Sequence, residues 1–440
     1  MNDDNLANTK SSKKAVKAAT AATVGTVIEF YDFFLYATAA AIVFPKVFFP
    51  ESNSYLGVLQ SFGTLAVGFL ARPIGAIIFG HFGDRIGRKA SLVSTMFLMG
   101  LSSLAIGLLP SYESIGLWAP ILLIIMRLIQ GVGVGGEWGG SVLLSMESGN
   151  KKHQAFMASL PQMGVAIGLL LASGMVSAFT YISGDNFYTW GWRVPFIFSV
   201  ILLVVGFLIR LKIPETPSFR HVQANNRVSR LPVVEVIKKH PKTIFLTALL
   251  RLSENGPFYV YTVFIMNYAM KTFQIDKISL LNVNLLASLF MMLAIPLFGF
   301  ISDKIGIKRV YIIGVGITFL AAIPYMKMIN NGTPDTILIA TILVMIPHSM
   351  QVGAQGAFVA KSFPTHLRYS GISLGSQIGS IISGGIAPLI CALLVNKFGS
   401  SYAISGYIIF TAIVTFAATL LVRDYTNNKL NTVELNQNIV

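Results

Sequence analysis

Seven ionisable side chains lie inside long apolar stretches of this chain, where a charge in lipid is costly and therefore needs a reason. They are Glu29, Asp32, Arg72, Arg127, Glu137, Arg251 and Glu254. Glu29 and Asp32 are three residues apart and share one face of a helix. Two neighbouring carboxylates in a low dielectric are not expected to be ionised together, so this pair is predicted to carry a proton. Glu254 is a third candidate. The alternative is that each acid pairs permanently with an arginine.

Arg127 and Arg72 are the candidates for binding a substrate carboxylate, because a guanidinium offers a planar fork of donors that matches it. Each could instead be the structural partner of a buried acid. Arg251 lies one helical turn before Glu254, which predicts a local ion pair and a structural role. Glu137 lies among glycines in the sequence GGEWGG, which also favours a structural role. The further candidates for contacting the substrate are Tyr31, Tyr36, Tyr259 and Gln162.

A charged loop motif occurs twice, as GHFGDRIGRK at 80–89 and in weaker form as GFISDKIGIKR at 299–309. Both copies lie between two apolar stretches. The glycines permit a tight connection between helices, and the aspartate can cap or pair with a neighbouring helix terminus. A purely solvated turn is the alternative. The residues predicted to gate transport are Gly80, Asp84, Arg85, Gly87 and Arg88 in the first copy, and Asp303 and Gly306 in the second.

A second repeat supports an internal duplication. EFYDFFLY at 29–36 and ENGPFYVY at 254–261 both have a glutamate followed by phenylalanine at +4 and tyrosine at +7. Two homologous halves are typical of secondary transporters. The Asn255-Gly256-Pro257 sequence is expected to interrupt its helix. Since no nucleotide-binding loop, zinc motif or serine–histidine triad is evident, neither an enzyme nor ATP-driven transport is predicted, and no cofactor is expected.

The elements that must position these residues are membrane helices. The 440-residue chain is 54% apolar and only 12% charged, against about 25% charged residues in an average soluble domain. About twelve apolar runs of spanning length predict an all-α membrane protein with twelve transmembrane helices in two pseudo-symmetric six-helix bundles. Most of the 33 lysines and arginines fall in loops on one side, so both termini are predicted to be cytoplasmic. The net charge of +15 is therefore interpreted as a topology signal.

The predicted organisation is a cytoplasmic tail at 1–17, an N-terminal bundle at 18–211, a cytoplasmic linker at 212–242, a C-terminal bundle at 243–422 and a cytoplasmic tail at 423–440. In the linker, Val233, Val234 and Ile237 can share one face of a short amphipathic helix. Glycines recur every four residues in two runs, which predicts close packing of helices in lipid. The runs are Gly131, Gly135 and Gly139, and Gly371, Gly375 and Gly379.

The chain resembles the major facilitator superfamily over almost its whole length, and within it the metabolite–proton symporters, which include shikimate, α-ketoglutarate, citrate and proline/betaine transporters. The matching stretches are the two loop motifs, EFYDFFLY, ARPIG at 71–75, RLIQGVGVGGEWGG at 127–140, WGWRVPF at 190–196, PETPSF at 214–219 and FPTHLRYSG at 363–371. The resemblance implies a central cavity between two bundles, alternating access driven by co-transported protons, and a multi-pass location in a bacterial inner membrane.

The expected function is import of a small polar metabolite by proton symport, with a shikimate-like acid or a dicarboxylate as the favoured substrate. The alternatives are a proline/betaine-type osmolyte symporter and, less favoured, a proton-coupled drug or metabolite exporter. Such exporters usually carry a G-P-x-x-G-G-like stretch, which LPQMGVAIG at 160–168 matches poorly. The expected partners are the metabolite, protons and membrane lipid, with no nucleic acid, and the functional unit is expected to be a monomer.

Overall fold

The computed structural model describes residues 2–52, 54–86, 88–135, 137–148, 151–211, 232–364 and 368–422. The regular elements of this part of the chain are all helical. In the first half they are α1 (Asn2–Ile42), α2 (Phe44–Val47), α3 (Ser54–Ile86), α4 (Arg88–Leu108), α5 (Tyr112–Ile115), α6 (Trp118–Val134), α7 (Trp138–Ser148), α8 (Gln154–Ser183) and α9 (Arg193–Leu211). In the second half they are α10 (Pro232–Lys239), α11 (Pro241–Leu250), α12 (Leu252–Tyr259), α13 (Ile265–Thr272), α14 (Lys277–Ile305), α15 (Ile307–Ile329), α16 (Pro334–Lys361), α17 (Arg368–Ser380), α18 (Ile386–Phe398) and α19 (Tyr402–Leu421). Short 3₁₀ turns lie at Lys151–His153 and Gly184–Tyr188, and π-helical turns at Val260–Phe264 and Ile381–Gly385.

Eight helices in the described ranges are long and apolar enough to cross a membrane, judged by length and composition. They are α3, α6 continued by α7, α8, α14, α15, α16, α17 continued by α18, and α19. Two shorter apolar helical runs lie at Val93–Leu108 and Arg193–Ile209. Large apolar side chains such as Leu293 and Leu320 are more than two-thirds exposed. An apolar surface of this kind is typical of a face that contacts lipid.

The glycine runs pack helices together as predicted. A Cβ atom added at Gly131 on α6 would lie 2.1 Å from the carbonyl oxygen of Gly68 on α3. In the second half, a Cβ atom at Gly379 on α17 would lie 2.6 Å from the carbonyl oxygen of Ala248 on α11. Such backbone approaches leave no room for a side chain, and they hold the helices close through van der Waals contact.

The helix that carries Glu254 is divided into segments. Arg251 forms a turn between α11 and α12, α12 then runs through Pro257, and the π-helical turn Val260–Phe264 follows. The helix is therefore interrupted on both sides of the predicted Asn255-Gly256-Pro257 break rather than at it. Proline lacks a backbone N–H and cannot donate the usual helical hydrogen bond, and here Pro257 lies in the short helix α12, which starts after Arg251. The π-helical turn that follows is of a kind common at functional sites.

The short helix α10 is present in the predicted linker. Val236 is fully buried against α11 and α17, and Val233 packs beside it. Val234 and Ile237 are exposed. The amphipathic face predicted for Val233, Val234 and Ile237 at the cytoplasmic surface stays a prediction.

The two halves of the chain contact each other at both ends of the bundle. Toward one end, α14 and α8 pack so closely that a Cβ atom at Gly299 would lie 2.4 Å from Ser159 Oγ. Toward the other end, the side-chain amide of Asn267 donates a hydrogen bond of 2.9 Å to the carbonyl oxygen of Ala41. A small cavity lies between the halves. Some of the candidate site residues line this cavity, and others lie deeper in the first half.

Candidate functional site

Two of the predicted arginines lie together in the first half, against the same aromatic ring. The guanidinium carbons of Arg72 and Arg127 are 4.5 Å and 4.6 Å from the centroid of Phe33. Arg127 Cζ also lies 4.1 Å from the ring centroid of Tyr36. Gly68 makes room for this arrangement, because a Cβ atom there would lie 2.3 Å from Arg127 Nε. Cation–π contacts thus stabilise two buried cations that have few hydrogen-bond partners.

The hydrogen bonding of these arginines is incomplete. Arg127 Nη1 donates to Gln130 Oε1, and Gln130 Nε2 donates to Ser103 Oγ at 2.8 Å. Among the residues the structure describes, no hydrogen-bond acceptor contacts Nε or Nη2 of Arg127, nor Nε or Nη2 of Arg72. Unpaired buried donors are costly.

Asp32 lies in the same cluster and is 1% exposed. Its Oδ1 accepts a hydrogen bond from Ser199 Oγ on α9. Its Oδ2 has no hydrogen-bond partner within the described ranges. Asp32 and Arg127 interact electrostatically. Glu29, one helical turn earlier, is also buried and makes side-chain interactions of its own. The structure therefore brings together Arg72, Arg127 and both predicted acids of α1.

The hydroxyl groups of Tyr31 and Tyr36 are both used within the first half. Tyr31 donates a 2.7 Å hydrogen bond to the carbonyl oxygen of Pro195 on α9. Tyr36 donates a 2.7 Å hydrogen bond to Thr64 Oγ1 on α3. Neither tyrosine lines the cavity between the halves. Their predicted contact with substrate stays a prediction, and in this conformation they brace α1 against its neighbours.

The cavity between the halves has a volume of about 20 Å³, which is room for about one water molecule. Trp138 and Gln162 line it from the first half, and Arg251, Glu254 and Tyr259 line it from the second. Arg72 and Arg127 are not among its lining residues, because Phe33, Phe69 and Tyr259 form an aromatic cluster beside them. In this conformation the cavity has no room for a molecule much larger than water.

Arg251 and Glu254 form the local pair predicted from their spacing, at 3.8 Å between Nη2 and Oε2. Gln355 connects both, since its Nε2 donates to Glu254 Oε2 at 3.1 Å and its Oε1 accepts from Arg251 Nη1 at 3.3 Å. The guanidinium carbon of Arg251 lies 4.9 Å from the ring centroid of Trp138, in the other half. Trp138 Nε1 in turn donates to Gln162 Oε1 at 2.8 Å. These groups form one connected cluster across the cavity.

Sequence reasoning assigned no site role to three of the residues at this cluster. Trp138 lies in the GGEWGG sequence next to Glu137, which is itself buried and makes side-chain interactions. His348 lines the cavity and stacks on Phe258 with ring centroids 4.6 Å apart. The sequence does carry a signal for His348 and Gln355. Both are polar residues inside an apolar run, where His348 follows a proline and Gln355 comes seven residues later.

The second copy of the loop motif contacts the other half. The carboxylate of Asp303, near the end of α14, accepts hydrogen bonds of 2.9 Å from the backbone N–H groups of Ala155 and Phe156 at the start of α8. Gly306 follows with a φ of 108°, a conformation that favours glycine. The first copy of the motif lies outside the part of the chain whose side chains the structure describes. The predictions for Gly80, Asp84, Arg85, Gly87 and Arg88 therefore stay predictions.

The comparisons with known proteins agree with this architecture. Residues 17–239 match the family described as Sugar (and other) transporter, and residues 243–436 match the family described as Major Facilitator Superfamily. The chain belongs to the major facilitator superfamily. The Shikimate transporter of Escherichia coli K12 is 39% identical to it over 403 residues, which cover 90% of this chain and 92% of that protein.

Other members of the family align over similar lengths. The Inner membrane metabolite transport protein YhjE of Escherichia coli K12 is 36% identical, and the alignment covers 92% of this chain and 93% of the relative. A Staphylococcus aureus COL protein, provisionally named a proline/betaine transporter, is 32% identical over 88% of this chain and 84% of its own. A structure of the proton:xylose symporter XylE superimposes with a TM-score of 0.74 at 15% identity, over 93% of this chain and 95% of that chain.

These matches identify the class of the protein. It is a transporter and not an enzyme, and it is a multi-pass protein of the inner membrane. The family resemblance seen in the sequence motifs is confirmed. The likeness to XylE establishes the fold.

Proposed function

We propose that this protein imports a small organic acid together with protons by alternating access. The environment of Asp32 is the observation that carries the proposal. Asp32 is almost fully buried, and its carboxylate is hydrogen-bonded to two neutral hydroxyl groups, those of Ser199 and Ser103. Within the described part of the chain its Oδ2 has no hydrogen-bond partner by geometry. An incompletely paired charge at this depth is costly, and binding a proton would remove that cost. Protonation would also change the balance of charge around Arg127, which is what a coupling site requires.

The proposed topology has twelve spans with both termini in the cytoplasm. Eight spans are present by length and composition, and α4 and α9 contain the two shorter apolar runs. The two remaining spans of the proposed twelve are α1 and the segmented helix built from α11, α12 and α13. The excess of lysine and arginine in the loops of one side supports cytoplasmic termini. The substrate path would then run between the two halves of a single chain, so the functional unit is proposed to be a monomer.

The chemistry of the cavity supports a small, partly apolar acid. Arg251 supplies a cation for a carboxylate, and Gln162 and Asn255 supply amides for hydroxyl groups near it. The name of the Escherichia coli shikimate transporter is consistent with such a substrate.

A betaine-like osmolyte is the second candidate, favoured by one observation. The aromatic residues that line the cavity are Phe30, Phe34, Trp138, Phe258 and Tyr259, and aromatic faces bind quaternary ammonium groups.

Alternating access is supported by the contacts at the two ends of the bundle. Asp303 with the start of α8 would close the cytoplasmic end, and Asn267 with Ala41 would close the outer end. Each contact joins the two halves, so each must break when its end opens. Gates of this kind allow the substrate to reach the cavity from one side at a time.

Uptake into proteoliposomes tests the function. Labelled shikimate and labelled glycine betaine are supplied under an inward proton gradient in sodium-free buffer, with and without a protonophore. We expect accumulation of the acid that the protonophore abolishes. Accumulation that requires sodium, or that survives collapse of the proton gradient, would contradict proton symport. Accumulation of betaine alone would replace the organic acid by the second candidate.

A further inference from the structure

Arg251 is held loosely by its neighbours, although it is buried. Its distance of 3.8 Å to Glu254 Oε2 is longer than the about 2.7–2.9 Å of a charge-assisted hydrogen bond. Its bond to Gln355 is 3.3 Å, and its Nε has no partner among the described residues. The guanidinium of this cavity-lining residue therefore makes only long polar contacts. A second acceptor could bind it without breaking any short bond.

Arg251 also faces the opposite half of the protein. Its guanidinium lies over the indole ring of Trp138, and Trp138 is held by a hydrogen bond to Gln162. A ligand between Arg251 and Trp138 would therefore touch both halves at once. Such bridging is what lets substrate binding favour closure of the two halves over the open states.

We propose that Arg251, and not Arg127, binds the carboxylate of the substrate, and that Glu254 competes with the substrate for this arginine. Binding of the ligand moves the guanidinium from Glu254 to the ligand carboxylate, while Gln355 keeps its hydrogen bond to Glu254. Trp138 packs against the body of the ligand from the other half. The inference rests on the proposed function, because it requires a substrate that carries a carboxylate.

The competition makes two substitutions act in opposite directions on affinity. Arg251→Lys keeps the charge and loses the planar fork, so it should weaken binding about ten- to a hundredfold. Glu254→Gln removes the competitor while keeping an amide that can accept from Gln355, so it should tighten binding about three- to tenfold. A purely structural pair would lose stability in both variants, and neither variant would bind more tightly.

Equilibrium binding to the full-length protein in detergent measures these effects. The probes are shikimate, glycine betaine and methyl shikimate, which lacks the free carboxylate. Arg193→Lys is the matched control, since Arg193 also lies over a tryptophan ring, that of Trp192 at 4.6 Å, but outside the cavity. We expect unchanged affinity in the control, and binding of the methyl ester that is weak and insensitive to Arg251→Lys.

The outcomes separate this inference from the proposed function. If wild type binds and accumulates a carboxylate probe while Arg251→Lys binds it equally well, the assignment to Arg251 is wrong and the symport stands. If Arg251→Lys does not fold, the rise in affinity of Glu254→Gln decides, and an unchanged or reduced affinity overturns the competition. If wild type binds methyl shikimate as tightly as shikimate, the carboxylate is not recognised and the assignment to Arg251 is wrong. If wild type neither binds nor accumulates any of the three probes, both proposals fall.

Discussion

Asp303 caps the helix that begins beside Ala155, although the two residues lie in opposite halves of the chain. Its Oδ1 accepts from the N–H of Ala155, and its Oδ2 accepts from the N–H of Phe156, both at 2.9 Å. A carboxylate at a helix N-terminus satisfies free donors and interacts favourably with the helix dipole. One side chain of the second half thereby holds α8 of the first half.

Asp303→Asn should weaken this closure. The amide oxygen can accept one of the two hydrogen bonds, but the charge is lost, which costs about 0.5–2 kcal/mol at a helix N-terminus. The open fraction of the predicted cytoplasmic end should rise about two- to thirtyfold. A cysteine placed at Val165, which lines the cavity, reports opening by its reaction with an impermeant maleimide from that side. The native Cys391 is fully buried and should contribute little.

Asp335→Asn is the control for this measurement, because Asp335 is exposed in the first turn of α16. It should leave the labelling rate unchanged. Equal labelling of Asp303→Asn and wild type would show that the contact does not hold the gate closed.

Asp32 and Arg127 should depend on each other for stability. Arg127→Gln alone leaves Asp32 buried beside one cation fewer and should destabilise the protein, because a buried charge that loses its compensation is costly. The double variant Asp32→Asn with Arg127→Gln removes both charges and should be less destabilised than Arg127→Gln alone. Denaturant unfolding in detergent of both single variants and the double variant completes the cycle. Additivity within about 0.5 kcal/mol would mean that the two residues do not interact.

Gly131→Ala should destabilise the first half by about 1–3 kcal/mol, because the new methyl group meets the backbone carbonyl of Gly68 and α3 must move. Gly63→Ala is the matched control on α3. A Cβ atom at Gly63 meets nothing within 4 Å, so alanine there should be neutral or stabilising by up to about 1 kcal/mol. The free energy of unfolding of each variant checks the pair. Equal effects at both positions would contradict close packing of α6 on α3.

The sequence predicts the class of fold well for physical reasons. Apolar runs of spanning length must be helices in lipid, because each backbone hydrogen bond has to be made within the segment. The repeated loop motif identifies two halves, and the second copy does lie where the halves meet, through Asp303. Glycines four residues apart predict close helix packing, as Gly131 shows.

The rotation of each helix about its axis is what sequence spacing cannot give. Arg127 and Arg251 are both arginines inside apolar helices, and their spacing alone does not tell which one lines the cavity. The structure places Arg127 against Phe33, in space left by Gly68, and places Arg251 at the cavity, at the turn between α11 and α12. The neighbouring helices likewise decide which face of α10 is buried, and they cover Val236 while Val234 and Ile237 stay exposed.

We propose that Asp32 takes up the proton that drives import. The most direct test compares two modes of transport in the same proteoliposomes, for wild type and Asp32→Asn. Accumulation driven by a proton gradient requires the coupling proton, whereas exchange of labelled for unlabelled shikimate at equal concentrations does not. Asparagine keeps the size of the side chain and can still accept from Ser199.

We predict that Asp32→Asn loses nearly all gradient-driven accumulation of shikimate and keeps a substantial rate of exchange. The ratio of accumulation to exchange should fall at least about tenfold, because a neutral side chain at this position cannot bind and release a proton. An Asp32→Asn variant that accumulates shikimate to the wild-type level, with the same sensitivity to a protonophore, would contradict the account.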